Sequence, residues 1–426
     1  MDILLPKLAS LGIYKTILED GAVSRVVTLL ELLHDETTDV VTKIKTYSEI
    51  YSFILENNCR CLYEYVENLT FQDENAFTLL CEKQEIKVDN PLIKQAAAEL
   101  DILQNLSTIN CMQIKKRMSQ GQSSEISQII DNLPNWNCYE EKEAMQWGKK
   151  IEERTKWHRD NGAGLFAKHA FFSYDGECRT LQPVTNPDPI MLDKLYLVDS
   201  QKDMAIKNTK IFLSGRAANN ILFYGDRGTG KSSMVKAIAN EFYHQGLRLV
   251  EVPKKYLEQM PVIISLLSDR GLKFVLFIDD LAFENNEEEY TALKAVLEGG
   301  IEHRPRNILI YATSNRRHII KETFSDRKGL ISDNPDDEVR ARDAMQEKLS
   351  LSDRFGITIV FSSPIKKEYL QIVHKMAQEE GIDIEPALLE QKAMQWEMAY
   401  NGMSPRTARQ FINWLKGELS INNNLF

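Results

Sequence analysis

Gly225-Asp226-Arg227-Gly228-Thr229-Gly230-Lys231-Ser232 fits the spacing G-x-x-x-x-G-K-[S/T]. Each residue type in it answers a need of a bound phosphate. Gly225, Gly228 and Gly230 reach backbone angles that a Cβ forbids, so several N–H groups can turn onto one anion. Lys231 is a compact cation with the reach of a β- or γ-phosphate, and Ser232 offers a hydroxyl to Mg²⁺; Ser233 completes the phosphate-binding set. The flanks agree. The apolar run Asn220–Tyr224 predicts a strand, and Met234, Val235, Ile238, Ala239 and Phe242 recur at helical spacing up to Gly246. A helix starting there adds the positive end of its dipole. A nucleotide site is the reading.

The segments that follow narrow the chemistry. Phe274-Val275-Leu276-Phe277-Ile278-Asp279-Asp280 reads as a buried strand ending in two acids. Such a strand delivers a carboxylate to the carboxyl edge of a sheet, where ligands bind. Asp279 is placed to hold Mg²⁺, and Asp280 to polarise an attacking water. Glu284 competes as the base, and helix capping is the plain structural role for Asp280. Asn307–Asn315 is a second such strand; its terminal amide can bond a γ-phosphate or the lytic water, or serve only the turn. Arg354, ahead of the last strand Ile357–Phe361, is far from its own phosphates but suits a subunit edge, where a guanidinium can enter a neighbour's site. Ser404 and Pro405 start the final helix, and Arg406 and Arg409 share one of its faces, Arg406 being the candidate for the γ-phosphate.

The rest of the chain sets the frame. At 426 residues, two or three domains are expected at ~150 residues each. Hydrophobic content of 43% and charged content of 27% are those of a globular protein. A net charge of -10 disfavours unaided binding to nucleic acid or an anionic membrane. Nucleic acid is a possible client but is not indicated; local pairs such as Lys254-Lys255 and Lys366-Lys367 read as solvated faces, and Tyr256 as a pore-facing aromatic only if a ring threads a polymer. The six cysteines include no C-x-x-C pair and read as idle thiols of a reducing cytosol. No basic, apolar leader opens the chain and no run is long enough to span a bilayer, so a cytoplasmic protein without membrane contact is expected. Residues 1–155 read as an all-α domain with no catalytic constellation, suited to binding an unknown protein client. Residues 156–190, with Pro183, Pro187 and Pro189, read as a connector that straps onto the next domain. Strand and helix then alternate over 191–363, which predicts a three-layer α/β core with a parallel sheet, and 364–426 is helical.

Together these segments resemble the AAA+ ATPases: Gly225–Ser232 as Walker A, Phe274–Asp280 as Walker B, Asn315 as sensor 1, Arg354 as arginine finger and Arg406 as sensor 2. Within that superfamily the chain is similar, from about 160 to 418, to a bacterial family usually called simply "ATP-binding protein". Ala218-Asn219-Asn220, Tyr311-Ala312-Thr313-Ser314-Asn315-Arg316-Arg317-His318 and Arg406-Thr407-Ala408-Arg409-Gln410-Phe411 carry that likeness. The resemblance implies ATP and Mg²⁺ as ligands, a five-stranded core, a helical lid from about 364 and an adenine pocket near Tyr196 and Val198. It also implies a homo-oligomer in the ATP-bound state. Walker B ends Asp-Asp as in initiators and helicase loaders, rather than the usual Asp-Glu, and Pro405 stands where a small flexible residue is usual. The shorter Asp280 keeps a non-hydrolysing, ATP-loaded scaffold in play beside an ATP hydrolase, with a helicase-loader-like ATPase as a further alternative.

Overall fold

A computed structural model describes residues 3–35, 37–84, 90–136, 146–281, 287–298, 305–315, 354–400 and 402–423. The chain forms two compact units, Met1–Lys168 and His169–Phe426.

The first unit is built of helices, the longest being Gly21–His34, Val40–Glu56 and Pro91–Ser107. Their apolar faces close on one core that includes Val23, Leu30, Tyr47, Ile54, Leu100, Leu103 and Trp136. The helix starts are capped by side chains: Asp20, Asn75, Asn90, Asn110 and Ser123 each accept a backbone N–H of the first turn. The acids Glu82 and Glu99 are buried among them. Glu99, 1% exposed, accepts the N–H groups of Gly12, Ile13 and Tyr14 at 3.0, 2.9 and 3.0 Å. Its carboxylate thus satisfies three successive donors of one loop, the last of them, on Tyr14, fully buried. Cys59, Cys81 and Cys111 are buried thiols, but Cys61 is disulfide-bonded, which corrects the reading of all six cysteines as idle thiols.

The second unit carries a seven-stranded sheet. Its strands are β1 Phe171–Asp175, β2 Thr180–Pro183, β3 Ile221–Gly225, β4 Leu247–Glu251, β5 Lys273–Ile278, β6 Ile308–Ser314 and β7 Ile357–Phe361. Their order is β2-β1-β4-β5-β6-β3-β7, and every pair is parallel except β1–β2. β6 is buried throughout and β5 from Phe274 on, as central parallel strands must be. One set of alternating side chains, including Phe223, Leu249, Phe277 and Tyr311, packs with the helices Asp199–Leu213 and Lys231–Phe242. The opposite set, Leu222, Val250, Leu276 and Ile310, is equally buried. The helix Met260–Ser268 meets β6. Three further helices, Lys366–Glu379, Pro386–Ala399 and Pro405–Asn423, close on their own core of Tyr369, Val373, Leu389, Ala408 and Phe411. This is the architecture expected from the sequence: a layered α/β core with a mostly parallel sheet, the three helices of the lid after it and an all-α region before it.

Two strands exceed the five that the resemblance implied. Phe171 and Phe172, read as part of a strap, pair with Leu249 and Val250 of β4 and extend the sheet. The chain then turns at Asp175, whose Oδ1 accepts the N–H groups of Glu177 and Cys178, and Arg179 takes a φ of 54°. β2 returns as an exposed edge strand ending at Pro183. Of the prolines that marked a connector, Pro183 is the last residue of this edge strand, where proline is tolerated, and Pro187 and Pro189 follow in the chain beyond it. Residues 156–168 of the expected connector belong to the first unit, in the helices Ile151–Asn161 and Leu165–Lys168 and the short link between them.

The sheet order fixes where a ligand can sit. β3 lies between β6 and β7, and the chain leaves it for β4 on one side. The order reverses there, and such a point opens a crevice at the carboxyl edge. Gly225 ends β3 opposite Phe361, with a φ of 142°, and a Cβ on it would lie 1.8 Å from the Phe361 carbonyl oxygen. Asp226 then donates its N–H to that oxygen at 3.2 Å. Gly225→Ala is therefore expected to cost about 3 kcal/mol of stability, by forcing β3 from β7 as well as straining the backbone. Glu99→Leu is expected to cost a similar amount, on the order of 3 kcal/mol, by leaving three loop donors, one of them fully buried, without their acceptor. Urea unfolding of each variant against the parent checks both.

Candidate functional site

Beyond Gly225 the backbone coils into the start of the helix Lys231–Phe242. Gly230 takes the cap position at φ 99°, and Thr229 Oγ1 donates to the Asp226 carbonyl at 2.8 Å. The coil buries the Lys231 side chain to 5% exposure. Its ammonium donates to the carbonyls of Gly225 and Asp226 at 2.9 and 2.6 Å and to Asn315 Oδ1 at 2.7 Å. Burial pulls its pKa below the usual lysine value, against the pull of Asp226, Asp279 and Asp280. Three acceptors match the three protons of an ammonium.

The carboxyl ends of β5 and β6 bring the acids to this point. Asp279 Oδ1 accepts the Ser232 hydroxyl at 2.6 Å and the Thr313 hydroxyl at 2.6 Å. Asp280 follows with a φ of 54°, a conformation rare for a residue with a side chain. Its N–H donates to Thr313 Oγ1 at 2.8 Å. Its carboxylate accepts the amide of Asn315 and lies 3.6 Å from the Lys254 ammonium. Lys254 was read as a solvated charge and instead stands half-buried against this acid.

The lid closes the other side. Ser404 Oγ accepts the Thr407 N–H at 3.1 Å and so caps the last helix, and the Arg406 N–H reaches the Gly228 carbonyl at 3.3 Å. Arg409 pairs with Glu380 at 3.1 Å and donates to the Tyr196 hydroxyl at 3.4 Å. That hydroxyl donates to Glu379 at 2.7 Å, and burial, then Glu379, pushes the phenol up to about 12. Tyr196 thus belongs to the lid core although it precedes the sheet in sequence.

These elements enclose a cavity of about 800 Å³. Arg227 to Ser233, Asp279, Asp280, Thr313, Asn315, Arg406 and Arg409 line its polar part, and Ile190, Tyr196, Val198 and Met376 its apolar part. A volume of this size suits a nucleotide. Of the residues singled out from sequence, Arg354 lies apart. It precedes β7, whose first residue pairs with the first residue of β3, so it sits at the amino edge of the sheet. The five residues of β7 span about 15 Å between it and the phosphate loop. Glu284, Arg316, Arg317 and the charged stretch 333–342 lie outside the described residues. Tyr256, weighed as a pore-facing aromatic, packs its ring against Gly176 in the β1–β2 turn.

Two features escaped the sequence reading. Thr313 joins both acids, and its only sign was a hydroxyl near the end of a strand that also carries those of Tyr311 and Ser314. The segment Asp188–Ile190 forms a cavity wall because Asn240 Nδ2 donates to the carbonyls of Asp188 and Ile190 at 2.9 and 2.7 Å. Nothing in the local pattern links residues so far apart.

The donor set also fits a metal of one kind. Asp279 and Ser232 give one carboxylate and one hydroxyl beside the cavity. Mg²⁺ is commonly held by one or two protein oxygens, with phosphates and waters completing the shell. Among the described residues no group of three His, Cys, Asp or Glu side chains gathers to hold a metal alone.

Comparison with known proteins places this unit. Solved structures similar to the chain include the Thermotoga maritima RuvB Holliday junction branch migration motor, at 19% identity over 55% of this chain and 67% of that one, with a TM-score of 0.38. A point mutant of the same RuvB gives 17% identity over 55% and 68%, with a TM-score of 0.39. The fold rests on the sheet order and the phosphate loop rather than on scores of this size. A comparison with curated proteins gives no match. A family model described as "Protein of unknown function (DUF815)" matches residues 167–419, which takes in the hairpin, the sheet and the three lid helices. The chain belongs to that family.

Proposed function

We propose that this protein is an ATP hydrolase that binds Mg·ATP in the cavity between core and lid and completes its site with a second copy of the chain. One observation carries the reading: Lys231, the Ser232–Asp279 pair, Asp280, Asn315 and Arg406 meet at a single cavity, although they come from four separate segments. In this reading the backbone from Arg227 to Ser233 and the Lys231 ammonium hold the phosphates. Ile190, Tyr196 and Val198 hold the base. Ser232 and Asp279 hold Mg²⁺, which when bound supplies charge neutralisation at the β- and γ-phosphates. Asp280 accepts a proton from water as its oxygen bonds the γ-phosphorus and the bridging P–O bond breaks to release ADP. Asn315 orients that water, and Arg406 carries the γ-phosphate charge to the lid. Arg354, too distant to serve its own site, enters the neighbour's. The all-α first unit takes the client protein.

A second reading is favoured by the hold on Asp280. Its carboxylate is engaged by Asn315 and faced by Lys254. An acid so occupied makes an ATP-loaded switch, in which nucleotide binding and not turnover changes the lid. Steady-state phosphate release by the purified protein separates the two.

Lys231→Ala is expected to abolish binding of a fluorescent ATP analogue, because the phosphates lose their buried cation. Asp280→Ala is expected to keep binding and lower phosphate release by at least about 100-fold, in the range that general bases contribute. Undiminished release in Asp280→Ala would remove the base assignment. For Arg354, the check is a mixture. Arg354→Ala and Lys231→Ala should each be inactive alone, and equimolar mixing should restore measurable turnover, since mixed assemblies pair an intact loop with an intact arginine. Failure of the mixture to exceed the sum of its parts would confine the site to one chain.

A further inference from the structure

The hydroxyl of Thr313 lies between the two acids and touches both segments. Its proton goes to Asp279 Oδ1 at 2.6 Å, and its oxygen accepts the Asp280 N–H at 2.8 Å. The same residue's carbonyl accepts the Leu281 N–H at 2.6 Å, and Ser314 Oγ donates back to the Leu281 carbonyl at 2.9 Å. The chain leaving β5 is therefore wrapped around Thr313 by three hydrogen bonds at successive residues. β-sheet pairing between β5 and β6 ends one position earlier, at Ile278 and Ala312. What holds Asp279, Asp280 and Leu281 is Thr313 and its neighbour, not the ladder.

This has consequences for both carboxylates. On Asp279, the two hydroxyl donors converge on one oxygen, and among the described residues none donates to Oδ2. Thr313 therefore fixes the carboxylate's rotation while leaving one oxygen for a cation. On Asp280, the φ of 54° is a backbone state that an aspartate does not favour by itself. The hydrogen bond from its N–H to Thr313 Oγ1 holds it there, and that state directs the carboxylate toward Asn315 rather than along the strand. Thr313 is 1% exposed, so no water replaces its hydroxyl, and its branched side chain has few rotamers in a strand.

We propose that Thr313 is a positioning residue for the metal and the base together: its hydroxyl orients Asp279 toward Mg²⁺ and sets the backbone turn that aims Asp280. The proposal rests on the Mg·ATP reading above. In this reading Thr313 acts through Asp279 and Asp280, the two groups its hydroxyl bonds.

The test compares Thr313→Val, which keeps the shape and deletes the hydroxyl, with Thr313→Ser, which keeps the hydroxyl and deletes the methyl. Binding of a fluorescent ATP analogue is titrated with MgCl₂ and repeated in EDTA, and phosphate release is followed in parallel. In Thr313→Val, the Mg²⁺ needed for half-maximal tight binding should rise about 10- to 100-fold, the usual loss when a group orienting a metal ligand is removed. Binding in EDTA should stay at the parental level, and Thr313→Ser should rescue the Mg²⁺ response. A packing role predicts the reverse order, with Val silent and Ser impaired, and that result would overturn the proposal. Should Thr313→Val not fold, Thr313→Ala is read against Thr313→Ser in the same way. Parental protein whose nucleotide affinity is independent of Mg²⁺ would sink both this proposal and the reading it rests on. Parental protein that responds to Mg²⁺ but releases no phosphate would remove the hydrolase reading alone, with the titration still deciding Thr313.

Discussion

A buried ammonium has to be solvated by something, and at Lys231 the protein supplies all of it. Two carbonyls of the phosphate loop and the amide oxygen of Asn315 take its three protons. Those acceptors come from β3 and β6, so the charge is stable only when the two strands are in register. The register is the one seen, with Tyr224 beside Ser314. The cost of burying that cation without partners is several kcal/mol. The loop, the strand pairing and the position of Asn315 therefore depend on each other. A phosphate entering the cavity offers the same ammonium a stronger, charged partner.

From that point hydrogen bonds run outward through the site. Asn315 accepts from Lys231 and donates to Asp280; Asp280 faces Lys254 and hangs by its N–H from Thr313; Thr313 turns Asp279, which also takes the Ser232 hydroxyl. Each member is paired, which is the condition for a polar network in a low-dielectric interior to add rigidity instead of cost. The chain also joins the phosphate loop to the strand edge beyond β5. Lys254 belongs to the segment after β4 whose neighbour Tyr256 packs on the β1–β2 turn and whose Gln259 accepts from Tyr174 of β1 at 2.7 Å. The two additional strands are thus packed on the segment that faces the second acid.

The lid reaches the loop by backbone as well as by side chain. The Arg406 N–H lies on the Gly228 carbonyl, and Tyr196, from ahead of the sheet, sits within the lid core with Glu379 and Arg409 around its hydroxyl. The lid is thus tied to the loop Gly225–Ser232 at the start of its last helix, and to the segment ahead of the sheet through Tyr196.

The sequence alone determined the local chemistry. The spacing of Gly225 to Ser232, the apolar runs ending in Asp279-Asp280 and Asn315, and the capped helix carrying Arg406 each declare themselves within some ten residues, because the constraint they satisfy is local: backbone angle, strand burial or cap geometry. The parallel α/β core and the helical lid followed from the same signals. Tertiary structure decided what depends on pairing between distant segments. That Phe171 and Phe172 add a strand beside β4, that Lys254 faces Asp280, that Thr313 joins the two acids and that Arg354 lies across the sheet from its own loop are all matters of register and strand order. A ladder hydrogen bond carries no residue identity, so strand order leaves no mark on the sequence of any one strand.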